Sequence, residues 1–175
     1  MESLQMQRCV FAGIALVAVS LVSPAAAPAA NTEAAGRKSA ADFTLNNSKG
    51  ASVRLSKYKG KVVLLNFWAT WCHGCKLEIP WFMEFENKYR HSGLAVIGVS
   101  MDEDGWKLVK PFLKEKKLNY PVVVGNEDLA RLYGGVDTMP MTLLIDRDGK
   151  IAASYVGMVD KDACESEIRT LLRQR

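Results

Sequence analysis

Two nearly continuous apolar runs dominate the pattern along the chain and predict strands that are buried on both faces. K-V-V-L-L-N-F-W spans residues 61–68, and L-A-V-I-G-V-S spans residues 94–100. Both runs are rich in strand-forming residues and have the length of strands rather than of buried helices. The stretch between them, from about residue 73 to residue 90, is long enough for a helix, so a parallel pair with a helical crossover is the economical prediction.

Shorter segments predict two antiparallel hairpins, one on each side of this unit. Residues 42–45 and 52–55 flank N-N-S-K-G, and residues 142–145 and 151–156 flank D-R-D-G-K. Both connections contain Asn, Asp or Gly, which tolerate the backbone conformations of tight turns. The second connection superficially resembles a calcium loop, but the later ligand positions fall in the next strand, so we interpret it as a turn.

Residues 101–135 are longer than a simple crossover needs and predict an inserted helix and strand. Apolar residues at helical spacing begin at Trp106, residues 120–124 suit a short strand, and residues 128–133 suit a further turn of helix. Pro111 requires the first of these helices either to kink or to begin close to it.

A closing helix over residues 160–173 completes an α/β domain with a central mixed sheet flanked by helices. Its apolar face contains Cys164, Ile168, Leu171 and Leu172. We interpret Cys164 as a small core residue, with a reactive or intermolecular thiol as the alternative.

The first 29 residues are predicted to be a targeting segment. Arg8 precedes an uncharged stretch over residues 9–22, and the small residues that follow offer A-x-A cleavage patterns. The stretch is short for a bilayer, which requires about 20 residues, so a cleaved signal peptide is preferred over an uncleaved membrane anchor. Residues 30–41 are assigned to a flexible linker and residues 42–175 to the folded domain.

Composition and charge fit one ordinary globular domain and argue against a nucleic-acid-binding protein. The chain has 175 residues, of which 49% are hydrophobic and 24% charged, and its net charge is only +4. Its lysines are interleaved with apolar and acidic residues, as on a solvated surface. We therefore predict no nucleic-acid partner.

The candidate chemistry lies in N-F-W-A-T-W-C-H-G-C-K-L-E-I-P, residues 66–80, where two cysteines follow the first strand. A zinc site requires four ligands, and beyond its four cysteines the chain has only two histidines. Haem attachment would require His directly after Cys75, where Lys76 stands. A static disulfide would close so short a loop that it would stabilise the fold little.

A redox pair explains more of these residues. Cys72 falls at the junction of strand and helix, where unpaired backbone N–H groups and the positive helix end favour the thiolate. Cys75 follows one turn later, close enough to resolve a mixed disulfide formed by Cys72. Exchange between thiols and disulfides requires no cofactor and no metal, and we predict none.

The segment W-A-T-W-C-H-G-C-K-L-E-I-P closely resembles the active-site segment of the TlpA/ResA group of thioredoxin-like thiol-disulfide oxidoreductases. The resemblance runs from about Asp42 to the C-terminus and includes Y-P-V-V-V-G at residues 120–125 and Y-G-G-V-D-T-M-P-M-T-L-L-I-D at residues 133–146. It implies a thioredoxin-like fold in which residues 101–135 contain the group's helix-strand insertion. It also implies a cis peptide at Met139-Pro140 that faces the cysteines and holds a substrate strand.

One departure from thioredoxin itself concerns the proton of Cys75. Asn66 stands where thioredoxins have a buried aspartate, so another base is required, and Glu78 matches the acid of the group's W-C-x-x-C-x-x-E-x-P pattern. Partial burial beside apolar residues would raise the pKa of Glu78 to a useful range. The alternative is an exposed acid on the helix surface.

Two further residues flank the nucleophile and are assigned to substrate binding together with Met139 and Pro140. Trp71 is expected to shield the sulfur of Cys72 and to contact substrate. His73 is expected to donate a hydrogen bond or positive charge to the thiolate, with a solvated loop residue as the alternative.

The resemblance implies an exported, periplasmic or otherwise extracytoplasmic reductant, bound to the membrane only if its N-terminal segment is uncleaved. Its expected partners are oxidised exported proteins, including apocytochromes c, and a membrane thiol-electron donor. A peroxidase of the peroxiredoxin type is an alternative, although Ala69 stands where such enzymes place threonine. A Cu(I)-delivery module is another, with Met139 or Met141 as the further ligand.

Overall fold

A mixed five-stranded sheet forms the centre of residues 36–174, the part of the chain that the computed structural model describes. The strand order is β5-β4-β3-β6-β7, and a separate hairpin is formed by β1 and β2. The strands are β1 Thr44–Asn46, β2 Ser52–Arg54, β3 Val62–Trp68, β4 Leu94–Ser100, β5 Val122–Val124, β6 Met141–Ile145 and β7 Ile151–Val156. The helices are α1 His73–Tyr89, α2 Trp106–Lys116, α3 Glu127–Leu132 and α4 Lys161–Arg173.

The strand pairing confirms the predicted parallel unit and both predicted hairpins. β3 is parallel to β4 and antiparallel to β6, while β6 pairs antiparallel with β7, and β1 with β2. Every residue of β3 and β4 is buried, as expected for central strands that are covered on both faces.

Successive residues of β3 contribute to two core layers on opposite faces of the sheet. Val62 and Leu64 pack with the apolar faces of α1, α2 and α4. Val63 and Leu65 pack on the other side with the β1–β2 hairpin and α3. Cys72 and Cys75 belong to the first layer, so the start of α1 presents the candidate site to the buried side.

The inserted segment has the predicted helix and strand, and the structure settles the position of Pro111. The helix α2 begins at Trp106 and continues through Pro111, with Val109 and Phe112 buried. The proline lies in the second turn, so the helix does not begin at it.

The residues just before the predicted domain boundary pack against the β6–β7 hairpin. The backbone of Ala40 donates to Gly149, that of Ile151 donates to Lys38, and Arg37 forms an ion pair with Asp146. Residues 37–41 are thus an ordered edge of the domain, and the folded part extends several residues before Asp42.

The predicted targeting segment lies outside the described residues. Between residues 36 and 174, no helix is both long and apolar enough to cross a membrane.

The side chain of Arg147 joins the β6–β7 turn to the ends of two other elements. Its guanidinium donates to the backbone carbonyls of Gly60, Leu172 and Gln174 at 2.7 to 3.1 Å.

We expect Arg147→Ala to lower the free energy of unfolding by about 2 kcal/mol, because charged donors contribute more than neutral ones. Urea unfolding measures this. Arg169→Ala, at an exposed position of α4, is the control, and an equal loss in both variants would contradict the joining role.

Candidate active site

The Cys72–Cys75 pair lies where β3 gives way to α1, and it forms a disulfide. Cys72 is the N-cap residue of the helix, and its sulfur accepts a hydrogen bond from the backbone N–H of Cys75 at 3.2 Å. The cap therefore places the sulfur of Cys72 at the positive end of a 17-residue helix. Cys72 is 5% exposed and Cys75 1%, so Cys72 is the sulfur nearer to solvent.

Asp102 fixes the turn that leads into Cys72. Its carboxylate accepts hydrogen bonds from the backbone N–H and the hydroxyl of Thr70 and from the hydroxyl of Ser100. Asp102 follows β4 and Thr70 follows β3, so these contacts hold the two adjacent strand ends together. Neither the spacing nor the neighbours of Asp102 in the sequence match a known pattern, so this role is visible only in the structure.

Glu78 lies one turn after Cys75 on α1 and is completely buried. Its Oε1 accepts a hydrogen bond from the backbone N–H of Val159 at 2.5 Å. Burial raises the pKa of Glu78 to about 7, while the Val159 hydrogen bond opposes the rise. The alternative of an exposed surface acid is thereby excluded, and the group can gain or lose a proton near neutral pH.

The same pKa makes the stability of the fold depend on pH. The folded protein binds more protons than the unfolded chain between the ordinary pKa of 4.5 and the folded value of about 7, so stability falls as the pH rises through this window. We expect Glu78→Gln to be more stable than the natural protein above this window, by on the order of 3 kcal/mol, and similar below it. Urea unfolding at several pH values tests this. Glu84→Gln, an exposed change on the same helix, should leave the pH dependence unaltered; equal curves for natural protein and Glu78→Gln would contradict the expectation.

A three-residue segment after β7 connects the predicted parts of the site. The Met139-Pro140 peptide is cis, and the carbonyl of Pro140 accepts a hydrogen bond from the N–H of Gly157. The side chain of Met158 covers Gly74, since its Cγ lies 2.9 Å from where a Cβ would stand on that glycine, and Pro140 Cδ lies 3.4 Å from the same point. Gly74 therefore permits close packing of the C-x-x-C turn against Pro140 and Met158.

The remaining predicted residues divide between surface and core. Trp71 is 65% exposed and His73 is also exposed, so both are accessible to a partner. Asn66 is buried and donates to the hydroxyl of Thr142. Cys164 is a buried free thiol, as predicted, and burial, with the nearby Glu78 charge as the next cause, raises its pKa to about 12.

The expected further copper ligands do not both lie near the cysteines. Met139 packs against the core layer of Cys72 and Cys75, whereas Met141 belongs to the layer on the opposite face of the sheet. Within residues 36–174, no group of three or more His, Cys, Asp or Glu side chains is arranged to hold a metal ion.

Comparison with known proteins identifies similar chains over most of this domain. The model of the AhpC/TSA family matches residues 37–154. Thiol-disulfide oxidoreductase ResA of Bacillus thuringiensis is 34% identical over 135 residues, which are 77% of this chain and 77% of the relative. The ResA protein of Geobacillus kaustophilus is 33% identical over 140 residues, 80% of each chain.

Solved structures confirm the thioredoxin-like fold. A Chlorobium tepidum protein assigned as thiol:disulfide interchange protein DsbE superposes with a TM-score of 0.73 and 36% identity, over 78% of this chain and 96% of the other. The exposed lipoprotein thioredoxin of Streptococcus pneumoniae gives a TM-score of 0.67 and 32% identity, over 75% of this chain and all of the other. The chain therefore belongs to the AhpC/TSA family, and it is a thiol-disulfide oxidoreductase of thioredoxin-like fold whose redox pair is Cys72 and Cys75.

Proposed function

We propose that the protein is an extracytoplasmic reductant of disulfides in exported proteins, with Glu78 as the acid-base group of the reaction. The observation that carries the reaction part of this proposal is the buried carboxyl of Glu78, one turn beyond Cys75, with a pKa near neutrality. A proton-exchanging group beside the inner cysteine suits the resolving step, in which a buried thiol must lose its proton.

The first step forms a mixed disulfide. The thiolate of Cys72 attacks one sulfur of the substrate disulfide, and a bond forms between Cys72 and that sulfur as the substrate S–S bond breaks. The other substrate sulfur leaves as a thiolate and is protonated by solvent. The helix N-terminus stabilises the attacking thiolate, and the exposure of Trp71 and His73 leaves room for substrate.

The second step releases the substrate. Glu78 takes the proton of Cys75, and the Cys75 thiolate attacks the sulfur of Cys72, which breaks the mixed disulfide. The second substrate thiolate leaves and is protonated. The substrate has then gained two electrons, and the protein ends in the Cys72–Cys75 disulfide form that the structure shows. A membrane thiol-electron donor would reduce this disulfide by the same exchange.

Met139 and Pro140 are proposed to hold the substrate chain. They lie beside the C-x-x-C turn, since Pro140 Cδ approaches Gly74, and Met139 packs in the same layer as the two cysteines. An extended peptide can pair with backbone groups at residue 139 in the manner of an added strand. Such pairing would align the substrate disulfide with Cys72.

The proposed place of action has support from one relative, and the proposed direction follows from that compartment rather than from the site. One structural relative is an exposed lipoprotein thioredoxin, which fits a domain that acts outside the cytoplasm. An oxidising space already contains oxidants, so a dedicated reductant is the role we assign. Oxidised exported proteins, including apocytochromes c during their maturation, are the proposed substrates.

Redox equilibration against glutathione and dithiothreitol buffers tests the direction. A reductant should have a potential nearer to that of thioredoxin, about −270 mV, than to that of the oxidant DsbA, about −120 mV. The reduced protein should also reduce an oxidised C-x-x-C-H peptide, with cystamine as the unspecific reference substrate. A potential near −120 mV would contradict the proposed direction but not the redox role.

Cu(I) delivery is the second candidate function, because a thioether lies beside the cysteine pair. The Sδ of Met158 is 3.2 Å from the position of a Cβ on Gly74, and Cu(I) prefers thiolate and thioether ligands. Equilibrium dialysis of the reduced protein with Cu(I) and a competing chelator tests this. Met158→Leu should bind Cu(I) more weakly than the natural protein. Equal Cu(I) binding by the variant and the natural protein would exclude the thioether as a ligand.

A further inference from the structure

Three buried polar side-chain atoms have no hydrogen-bond partner within the described residues, and their residues belong to the core layer or the helix that contains the cysteines. They are Glu78 Oε2, the Tyr120 hydroxyl and Trp68 Nε1. Trp68 and Tyr120 pack in the core layer that contains both cysteines, and Glu78 lies on the helix that carries Cys75. Buried polar groups are nearly always paired, so this set requires an explanation.

The indole nitrogen of Trp68 and the ring of Tyr120 meet above Gly98 in β4. Trp68 Nε1 lies 2.9 Å, and Tyr120 Cε2 3.3 Å, from the point where a Cβ would stand on Gly98. The charge of Glu78 is felt at Tyr120. After burial, it is the second cause that raises the pKa of the phenol. A side chain at position 98 would collide with the indole edge, so glycine there allows Trp68 and Tyr120 to pack together over β4.

We propose that Tyr120 is a positioning residue for Glu78, with its hydroxyl and Trp68 Nε1 both donating to one buried water molecule that in turn donates to Glu78 Oε2. A site with three polar partners suits a structural water, which typically makes about three hydrogen bonds. The bridge orients the carboxyl and stabilises its ionised form, the form that takes the proton of Cys75. This inference rests on the proposed role of Glu78 and adds two residues to it.

The groups around Glu78 that could stabilise its ionised carboxyl are neutral hydrogen-bond donors. Cys75 lies on its own helix, the free thiol of Cys164 on α4 has its pKa raised in part by the Glu78 charge, and the N–H of Val159 binds Oε1 of Glu78. No lysine or arginine is among the causes of the pKa shift of Glu78. The charge on the buried carboxylate is therefore balanced by hydrogen bonds, so the loss of one donor should be measurable.

Carbon-13 NMR titration of the Glu78 carboxyl tests the proposal without any need for turnover. Tyr120→Phe removes the donor, and the pKa of Glu78 should rise by about one pH unit, as expected for the loss of one hydrogen bond to a charged group. Tyr133→Phe is the matched control, because the Tyr133 hydroxyl donates to the Ala41 carbonyl in the core layer on the opposite face. It should leave the titration unchanged. An unchanged pKa in Tyr120→Phe, or equal shifts in both variants, would overturn the proposal.

A second measurement does not depend on the folding of Tyr120→Phe. In protein labelled with 3-fluorotyrosine, the fluorine resonance of residue 120 should follow the titration of Glu78, and this response should vanish in Glu78→Gln. A resonance of residue 120 that ignores the titration would overturn the proposal. If the natural protein fails to reduce disulfides while the NMR results hold, the proposed function fails and the positioning role of Tyr120 stands.

Discussion

Cys72→Ser will abolish reduction of a protein disulfide, whereas Cys75→Ser will retain the first attack and accumulate a mixed disulfide with its substrate. The reason is that Cys72 caps the helix and lies nearer to solvent, while Cys75 is 1% exposed. Mass spectrometry of each variant after incubation with an oxidised peptide measures both outcomes. The rate of complete turnover should fall to background in both variants.

Labelling of the reduced protein provides an independent check of the same order. Iodoacetamide near neutral pH should modify Cys72 first, because only an accessible thiolate reacts. Cys164→Ala is the control, since this thiol is buried with a pKa of about 12, and the variant should keep full activity. Faster labelling of Cys75 or Cys164 would contradict the assignment of the nucleophile.

Glu78→Gln is expected to slow resolution of the mixed disulfide by about 10²-fold or more, as is typical when general acid-base assistance is lost. The amide keeps the shape of the side chain and an oxygen for the N–H of Val159, but it cannot take the proton of Cys75. Quenched-flow measurement of substrate release, after the mixed disulfide has formed, isolates this step. In the natural protein the rate should rise with pH through about 7, where Glu78 ionises.

The control for this prediction lies on the same helix. Glu84 is exposed and forms an ion pair with Lys161, so Glu84→Gln changes charge by the same amount without touching the cysteines. It should leave both the rate and its pH profile intact. Resolution by Glu78→Gln at the natural rate between about pH 5 and pH 9 would remove Glu78 from the mechanism.

Much of the fold could be predicted from the pattern of apolar residues, because the central strands are buried on both faces and appear in the sequence as apolar runs. The runs at residues 61–68 and 94–100 correspond to β3 and β4 within a residue. Pro111 was harder to place, because a proline suits the first turn of a helix and costs a backbone hydrogen bond further along, whereas α2 begins five residues before it. The ordered edge at Arg37 could not be seen either, because its contacts are with the distant Asp146 and Gly149.

The site divides in the same way between local pattern and distant contact. Cys72, Cys75 and Glu78 share one helix, so their spacing in the sequence shows their relation. The groups that act on them come from elsewhere: the N–H of Val159 is 81 residues from Glu78, and a backbone donor leaves no trace in residue identity. Tyr120 is hidden for a related reason, as a buried tyrosine in an apolar segment is normally read as core.

The segment of residues 157–159 has a consequence for how the protein can vary in length. Three consecutive residues contact three different parts of the site: Gly157 binds Pro140, Met158 covers Gly74, and Val159 binds Glu78. An insertion or deletion of a single residue here would break at least two of these contacts at once. Engineers who wish to graft a recognition loop onto this scaffold should therefore leave this segment at its present length and redesign its exposed neighbours.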